Sequence, residues 1–479
     1  MKKNNSERIT DVILINPPLY YEGGAPIILD VSYPPLGILY LAAVLEKNDI
    51  RVKVIDVGAE KQSLTQTISL ITKESPAVVG ISSMTPALQG AVTLAKVIKK
   101  RFKKITVSLG GSHVSADPEF IKRIRLFDFA VTGESETVFL TKVKEIFNNK
   151  KVKGVFPGRP VKDLNLIPWP ARHLINLNLY NKRASLIATR GCPYACYYCS
   201  RPGISNLVRC RQPKDVVDEM ELLNKTCGGD FLFQDDAMTI NKKFVLDLCQ
   251  QLIERKKNFR WACYTRVDLV DGEIIKKMAE AGCYSIDFGI ESGNERVRNE
   301  IINKKFSNSQ IKKTLALCNQ NKINADGFFM FGHPTETKEE VKETMRFILE
   351  NNFNLIGVSI ATPFPGSKLW EYAVRDKIIN DKFVDDFALG RKGKGYAGVW
   401  PVYLPKDQDL NWLYEQRRRI MRKFYLRPKR IFKAIKEDLQ SWDRIKRDFT
   451  EGFNVLMRGS SARAPYRKSS GDKSSKFKR

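Results

Sequence analysis

The sequence lacks the segments that mark membrane, secreted and many nucleotide-binding proteins. Among its 479 residues no apolar run reaches about 18 residues, the length needed for a membrane-spanning helix. The N-terminus, MKKNNSERIT, is basic but has neither the apolar core nor the cleavage site of a signal peptide. Neither G-x-G-x-x-G nor G-x4-G-K-S/T occurs, so phosphate binding by those loops is not supported. These absences favour a cytoplasmic protein of another class.

Cysteine is absent before Cys192, and the nine cysteines are widely spaced apart from one group. That group is Cys192, Cys196 and Cys199 in ATRGCPYACYYCSR, with the spacing C-x3-C-x2-C. Three thiolates on one short loop can bind three irons of a 4Fe-4S cluster and leave the fourth iron open. A structural zinc site would need a fourth protein ligand, which is not near. Disulfides do not suit three cysteines on one loop of a chain from a reducing compartment.

Acidic residues are too few to balance the basic ones, and the formal net charge is +28. Residues 410–479 hold 21 Lys and Arg against 7 Asp and Glu, a difference of +14, which is half of the total. Such a basic region can face nucleic acid, an anionic membrane surface or solvent.

The first part of the chain alternates strand-like and helical patterns. Residues 10–145 contain five strand-like runs, beginning with DVILIN at 11–16, and helical patterns separate them. This alternation predicts a parallel, doubly wound sheet whose ligands lie at the carboxyl ends of the strands. The residues predicted at those ends include Tyr33, Ser82, Ser83, Thr85, Gly110, Gly111, His113, Gly133 and Glu134.

The second part repeats a strand–helix unit about six times between residues 184 and 378. Six units are fewer than the eight of a closed TIM barrel, so an incomplete barrel is expected, with its functional residues at the carboxyl ends of the strands. Carboxylates there can accept hydrogen bonds from an ammonium group and from ribose hydroxyls, although ordinary salt bridges at the rim would look the same. The polar residues at these ends are Asp235, Asp236, Arg266, Asp268, Glu291 and Ser292.

With its cysteine spacing and an aromatic residue, Tyr198, before the third cysteine, the chain resembles the radical S-adenosylmethionine (SAM) superfamily. Over roughly residues 10–430 it looks like the branch with an N-terminal cobalamin-binding domain. The resemblance implies an α/β protein with a Rossmann-like (flavodoxin-like) cobalamin-binding domain, then a partial (β/α)6 TIM barrel, then a C-terminal helical extension. The expected divisions are 8–150, a linker at 151–183, the barrel at 184–398, basic helices at 399–458 and a disordered tail at 459–479.

The resemblance also implies roles for particular residues. Cys192, Cys196 and Cys199 would hold a 4Fe-4S cluster. SAM would be bound by Tyr198, Asp235, Asp236, Arg266, Glu291, Ser292, Thr362 and Pro363. Cobalamin would be bound by the strand-end residues from Tyr33 to Glu134 named above. The motif D-x-H-x-x-G is missing, and none of His113, His173 and His333 lies in such a context, which implies cobalamin without a lower histidine ligand.

The function implied by the resemblance is reductive cleavage of SAM to a 5′-deoxyadenosyl radical. That radical would abstract hydrogen from an unactivated carbon of a small-molecule substrate, and methylcobalamin would supply a methyl group. A reductant such as flavodoxin or ferredoxin is implied as a partner. The alternatives are a radical cyclase or rearrangement enzyme with the same cofactors, and a non-catalytic iron–sulfur carrier or sensor. The lack of a cysteine before Cys192 argues against a tRNA methylthiotransferase, and so against nucleic acid as a partner.

Two basic amphipathic helices are predicted near the C-terminus, at 410–425 and 428–449. Helices of this kind pack on a protein core with a solvated basic face or lie on a membrane surface. The first alternative is the more common one. The second would make the protein cytoplasmic with peripheral membrane contact.

Overall fold

A computed structural model describes residues 9–28, 33–180, 184–200, 205–380, 382–395 and 399–428. The predicted helix at 428–449 and the tail at 459–479 lie outside these ranges, apart from residue 428. Where both are described, the predicted strands and helices agree with the observed ones to within a few residues.

The N-terminal half contains one six-stranded sheet in which every pairing is parallel. Its spatial order is β4-β1-β5-β6-β7-β8, so the direction of winding reverses between β1 and β5. Ligands of open parallel sheets bind beside such a reversal, at the carboxyl ends of the strands. The strands are β1 (Val12–Asn16), β4 (Val52–Asp56), β5 (Val78–Ser82), β6 (Thr106–Gly110), β7 (Phe129–Thr132) and β8 (Gly154–Pro157). A short antiparallel hairpin, β2 (Tyr20–Glu22) and β3 (Ala25–Ile27), follows β1.

Helices cover both faces of this sheet and are α1 (Leu36–Glu46), α2 (Val57–Glu60), α3 (Leu64–Glu74), α4 (Leu88–Arg101), α5 (Ser112–Ala116), α6 (Phe120–Ile124) and α7 (Glu136–Phe147). Local sequence sets some of their ends. At the start of α3, the Ser63 side chain accepts from the Gln66 backbone N–H and the Gln66 side chain accepts from the Ser63 N–H. This reciprocal capping box satisfies two donors that a helix start otherwise leaves unpaired.

The segment after residue 150 differs from a simple linker, because Gly154–Pro157 forms β8 and adds an edge strand to the N-terminal sheet. The run GVFP is only four residues long and is half-buried. It therefore lacks the long apolar pattern by which strands are recognised in sequence. Short 3-10 turns follow it, at Leu164–Leu166, Arg172–Leu174 and Leu177–Leu179.

The second half contains another six-stranded parallel sheet, in the order β16-β15-β14-β13-β12-β9. Sequential strands are neighbours and helices cover one face, as in an incomplete barrel. The strands are β9 (Ala184–Leu186), β12 (Asp230–Phe233), β13 (Arg260–Thr265), β14 (Cys283–Glu291), β15 (Asn324–Phe331) and β16 (Ile356–Ile360). The helices between them are α8 (Pro213–Cys227), α9 (Lys242–Glu254), α10 (Gly272–Glu280), α11 (Asn308–Gln320) and α12 (Lys338–Glu350), and a π-helical turn spans Val297–Ile301.

Three helices follow the barrel, namely α13 (Lys368–Arg375), α14 (Phe383–Ala388) and α15 (Leu410–Tyr425). Helix α15 confirms the predicted C-terminal helical extension, and its buried face packs on the barrel core. Helices α13 and α14 turn back and share an apolar cluster with the N-terminal sheet and α4. The two halves are therefore fixed to each other with their carboxyl strand ends on a common seam.

Candidate functional site

The cysteine loop begins just after β9, where a two-stranded antiparallel ribbon closes its base. The ribbon consists of β10 (Thr189–Arg190) and β11 (Arg209–Cys210). Next to it, the Cys192 N–H donates to the Ser205 carbonyl at 3.2 Å. Gly191 has φ +105°, and a Cβ there would lie 2.2 Å from the Leu207 carbonyl oxygen. Only glycine allows the chain to turn this tightly into the loop.

Cys192, Cys196 and Cys199 are all free thiols and are partly exposed. Among the described residues, no group of three or more His, Cys, Asp or Glu side chains is placed to share one metal ion. The thiolates of a four-iron cluster each bind a different iron, so they need not converge on one point as zinc ligands do. Three accessible thiols on a loop closed at its base fit a cluster and do not fit a single-ion site.

The two tyrosines between the second and third cysteines hold the loop against the barrel. The Tyr198 hydroxyl donates to Glu291 Oε1 at 2.6 Å, and Lys304 Nζ lies 3.3 Å from the same oxygen. The Tyr197 hydroxyl lies 2.6 Å from Nδ1 of buried His333. Because His333 Nε2 lies 3.0 Å from the Met330 carbonyl, which can only accept, we assign the proton to Nε2 and the Tyr197 contact to an accepting Nδ1.

Arg266 lies beside the same loop, at the end of β13. Its guanidinium carbon is 3.7 Å from the centroid of the ring of Tyr194, which lies in the cysteine loop. Asp268 accepts two hydrogen bonds from it at 2.9 Å, and the Lys304 carbonyl accepts a third. The structure thus places Arg266 against the cysteine loop, with most of its hydrogen-bonding capacity used by the protein. Its predicted contact with SAM stays a prediction.

The adjacent acids at the end of β12 differ in their surroundings. Asp235 is 3% exposed and accepts from the backbone N–H groups of Ala188 and Thr189. Burial raises the pKa of Asp235 to about 6, although those N–H groups favour its charged form. Asp236 is exposed. Asp235 therefore fixes the chain that enters the cysteine loop, and Asp236 is the acid that faces outward.

The remaining residues predicted to bind SAM are mostly occupied by protein contacts. Ser292 is buried, with its hydroxyl 2.9 Å from that of Thr344. The Thr362 hydroxyl donates to the Ile360 carbonyl at 2.9 Å, and the Pro363 carbonyl accepts from the Trp400 indole at 2.8 Å. Thr362 and Pro363 follow β16 at the carboxyl edge, where they were expected.

A cavity of about 350 Å³ lies on the seam between the two sheets. This volume is typical of pockets that hold one small ligand or part of a larger one. From the N-terminal half it is lined by Ser82, Gly110, Gly111, Gly133, Glu134 and other residues at the carboxyl ends of β5, β6 and β7. From the barrel it is lined by Thr189, Arg190, Gly191, Ser200, Gln234, Asp235 and Asp236. The cavity therefore joins the predicted cobalamin loops to the base of the cysteine loop.

Four residues predicted to bind cobalamin lie outside the lining of this cavity. Ser83 is buried and its hydroxyl donates to the Met84 carbonyl at 2.9 Å. The Thr85 hydroxyl is 3.0 Å from His113 Nδ1, and His113 is fully buried against Phe120. Tyr33 precedes α1 and is half-buried. These side chains support the loops behind the cavity.

Sequence reasoning predicted Glu134 but missed the three charged residues that join it in pairs across the seam, Arg190, Arg209 and Glu136. Arg190 NH1 donates to Glu136 Oε1 at 2.7 Å and lies 3.5 Å from Glu134. Arg209 NH1 donates to Glu134 Oε2 at 2.9 Å. The Arg190 guanidinium carbon lies 4.9 Å from the centroid of the Tyr40 ring. The sequence signals for these pairs were Arg190, directly before Gly191, and Glu136, three residues after Gly133.

The comparisons with known proteins agree with this geometry. The radical SAM superfamily model matches residues 186–348, and the B12 binding domain model matches residues 29–141. An uncharacterised methyltransferase of Pyrococcus horikoshii is 30% identical over 452 residues, covering 90% of this chain and 95% of that protein. The anaerobic magnesium-protoporphyrin IX monomethyl ester cyclase of Rubrivivax gelatinosus is 28% identical, covering 86% of this chain and 77% of the cyclase.

A solved structure shows the same fold. The radical SAM methyltransferase TsrM from Kitasatospora setae, with cobalamin and a 4Fe-4S cluster bound, aligns with a TM-score of 0.62 at 18% identity. The alignment covers 77% of this chain and 75% of TsrM.

The fold and the cysteine loop define a radical SAM enzyme, and the chain belongs to that superfamily. Within it, the chain belongs to the cobalamin-dependent branch, whose relatives include methyltransferases and cyclases. Its cofactors are a 4Fe-4S cluster, SAM and cobalamin, and it uses a small-molecule substrate and an electron donor. No helix in the described part of the chain has the length and apolarity to cross a bilayer.

Proposed function

We propose that the protein transfers a methyl group to an unactivated carbon of a small-molecule substrate. The observation that carries the proposal is the seam cavity, because it places the loops predicted to bind cobalamin against the base of the cysteine loop. When bound, the cluster and SAM supply a 5′-deoxyadenosyl radical that removes hydrogen, and cobalamin supplies the methyl group. The relatives named as methyltransferases support this reading.

The chain's own residues would bind and orient these groups. Cys192, Cys196 and Cys199 would each bind one iron, and Tyr198 and Arg266 would hold their loop in place. Exposed Asp236 fits the amine of SAM better than Asp235, whose carboxylate accepts backbone N–H groups. Glu291 is proposed to contact the ribose, with Ser292, Thr362 and Pro363 shaping the neighbouring wall.

Cobalamin is proposed to enter the seam cavity with its nucleotide tail among the glycines and serines. Ser82, Gly110, Gly111 and Gly133 present backbone and small side chains there, which lets a large ligand approach closely. His113 is fully buried against Phe120 and outside the cavity lining. This supports cobalamin without a lower histidine ligand.

The iron-binding role is tested by anaerobic reconstitution with iron and sulfide, followed by reduction in the presence of SAM. We expect iron–sulfur absorbance and release of 5′-deoxyadenosine, both lost in Cys192→Ala. Cys318→Ala is the matched control, because it removes a buried thiol of α11 and should keep both signals. Equal iron content in the two variants would contradict the assignment.

The cyclase alternative is favoured by one observation, the 28% identity to an anaerobic cyclase over most of the chain. In methyl transfer, a second molecule of SAM is consumed as the methyl donor. The methyltransferase should therefore release S-adenosylhomocysteine, and only when cobalamin is present. Cyclisation should release 5′-deoxyadenosine without S-adenosylhomocysteine. Mass spectrometry of the two products distinguishes the reactions.

We also propose flavodoxin or ferredoxin as the electron donor. The protein would work in the cytoplasm, with peripheral membrane contact through its basic C-terminal region. The net charge concentrated beyond residue 410 supports that contact.

A further inference from the structure

Helix α15 presents a basic face that the rest of the described structure leaves unpaired. Leu413, Ile420 and Phe424 are buried against the barrel. At 100° per residue, Arg418, Arg419 and Arg422 project from the opposite side of the helix. Lys423 flanks them, whereas Arg417 lies nearer the buried side of the helix, and both are exposed.

None of these five cations forms an ion pair with a carboxylate among the described residues. Elsewhere in the described structure ion pairs are numerous. The helix carries a single acid, Glu415. On neighbouring α12, by contrast, Arg346 contacts Glu339 at 3.4 Å. An outward face with four cations and one acid has a net attraction for a polyanion.

An exposed leucine flanks each partner of a contact between the end of α15 and the start of β16. The Tyr425 hydroxyl accepts from the Ile356 N–H at 3.1 Å and donates to the Ile356 carbonyl at 2.9 Å. The leucines next to these two residues in the chain, Leu426 and Leu355, are 48% and 54% exposed. Leucines beside cations match a lipid interface, where apolar side chains enter the acyl boundary and cations meet phosphate.

The sequence beyond this point continues the same charge. Residues 429–479 hold 15 Lys and Arg against 6 Asp and Glu, a further +9. In the sequence, this added charge follows α15 almost directly. Clusters of four to eight basic residues recognise anionic lipid headgroups in this way.

We infer that the outward face of α15 binds the phosphate headgroups of an anionic lipid surface, with Leu355 and Leu426 at the acyl boundary. The inference rests on the proposed peripheral membrane contact and assigns that contact to the outward face of α15. Nucleic acid fits less well, because the aromatic rings of the helix pack against the barrel core and are not presented for base stacking. These rings are Trp412, Tyr414, Phe424 and Tyr425.

The test is co-sedimentation of the full-length protein with phosphatidylcholine vesicles that contain or lack phosphatidylglycerol. We expect binding only to the anionic vesicles, and weaker binding as salt is raised. The triple variant R418E/R419E/R422E should lower the partition coefficient by about tenfold or more. The double variant L355S/L426S should bind anionic vesicles more weakly at high salt than the unchanged protein does.

The matched control is K312E/K313E/K322E, which reverses three exposed lysines in and just after α11. This control variant changes the net charge by the same amount as R418E/R419E/R422E, but it should bind anionic vesicles much more tightly. Equal loss in the two variants, undiminished binding by the α15 variant, or binding to tRNA but not to vesicles would each overturn the inference. Formation of 5′-deoxyadenosine by each variant is measured without vesicles. It shows whether the proposed reaction has failed independently of whether lipid binding has failed.

Discussion

Glu291 holds a backbone conformation that few residues other than glycine adopt, with φ +70° at a register shift in β14. The shift directs its carboxylate to Tyr198 and Lys304, and Lys304 is only 5% exposed. Strained residues persist where the surrounding structure fixes them, and they concentrate at functional sites. The contacts of Glu291 therefore link the cysteine loop to the fourth barrel strand.

Removing the Tyr198 hydroxyl and removing the Glu291 carboxylate should have unequal costs. Tyr198→Phe removes one hydrogen bond but leaves the Lys304–Glu291 pair, so we expect a loss of about 1 kcal/mol of unfolding free energy. Glu291→Ala leaves the Lys304 ammonium buried without its carboxylate, and we expect a loss of about 3 kcal/mol. Denaturant titration measures both. Equal losses would show that Lys304 does not depend on Glu291.

His113 predicts a dependence of stability on pH. Burial lowers the pKa of His113 to about 4, with Asp117 acting to raise it and Arg123 to lower it further. An unfolded chain protonates its histidine near pH 6.5, so the unfolded state binds the proton first. Stability contributed by neutral His113 is therefore present above pH 6.5 and falls as the pH is lowered towards 4, by up to about 1.4 kcal/mol per pH unit.

The measurement is the melting temperature of His113→Asn and of the unchanged protein between pH 7 and pH 5. The variant should lose less stability on acidification. Some decline will remain, because burial also lowers the pKa of His333 to about 4. His173→Asn serves as the control, since His173 is mostly exposed, and its profile should match that of the unchanged protein. A His113 variant with the full decline would contradict the prediction.

At the scale of elements, two adjacent glycines of the seam cavity make different demands on the chain. Gly111 has φ +94°, and a Cβ there would lie 2.7 Å from the Ser83 carbonyl oxygen. Gly110 has no heavy atom within 4 Å of such a Cβ. The turn from β6 into α5 thus needs glycine at the second position only.

Gly111→Ala should therefore destabilise the protein by about 1–2 kcal/mol, because alanine is strained at that φ and meets the β5 loop. Gly110→Ala should be nearly neutral for stability, although both residues line the cavity. Denaturant titration gives the stabilities, and spectral titration with hydroxocobalamin gives the affinities. A Gly110 variant as unstable as the Gly111 variant would mean that crowding in the cavity, and not the turn, is responsible.

Elements with a strong periodic pattern could be predicted from the sequence, and short ones could not. Helices such as α9 and α12 have apolar stripes and clear caps, and buried strands such as β5 are continuous apolar runs. The ribbon of β10 and β11 contains two residues in each strand, so it has no period to detect. The spacing of the cysteines predicts a cluster-binding loop, but the ribbon that closes this loop could not be predicted from the sequence.

At the scale of the molecule, the two halves share part of one core. Leu88 and Ala91 of α4 belong to the same buried cluster as Phe387 of α14 and Trp400. Gln89 extends this contact, because its amide donates to the Phe387 and Gly393 carbonyls at 2.8 and 2.7 Å. Contacts between residues about 300 positions apart leave no local trace in a sequence. The way in which the two halves dock therefore could not be predicted from it.

Charge pairs on the seam were equally hidden, since each partner looks like an ordinary surface residue in its own segment. In the structure, the side chains of Arg190 and Glu136 are 16% and 9% exposed and lie 2.7 Å apart. They connect the strand before Cys192 to the first turn of α7. We expect this pair to fix the position of the cysteine loop relative to the loops that line the seam cavity.

A double-mutant cycle tests that coupling. Arg190→Gln leaves the buried Glu136 carboxylate without its cation and should cost about 3 kcal/mol of unfolding free energy. Glu136→Gln should cost less, because Glu134 remains 3.5 Å from Arg190. The double variant should be more stable than the sum of the two losses predicts, by at least about 1 kcal/mol.

Lys243 and Asp247, an exposed pair at 2.9 Å, should show a coupling of about 0.5 kcal/mol or less. Additive losses at Arg190 and Glu136 would mean that the apolar core alone holds the two halves together, and the cysteine loop would then owe its position to Tyr197 and Tyr198.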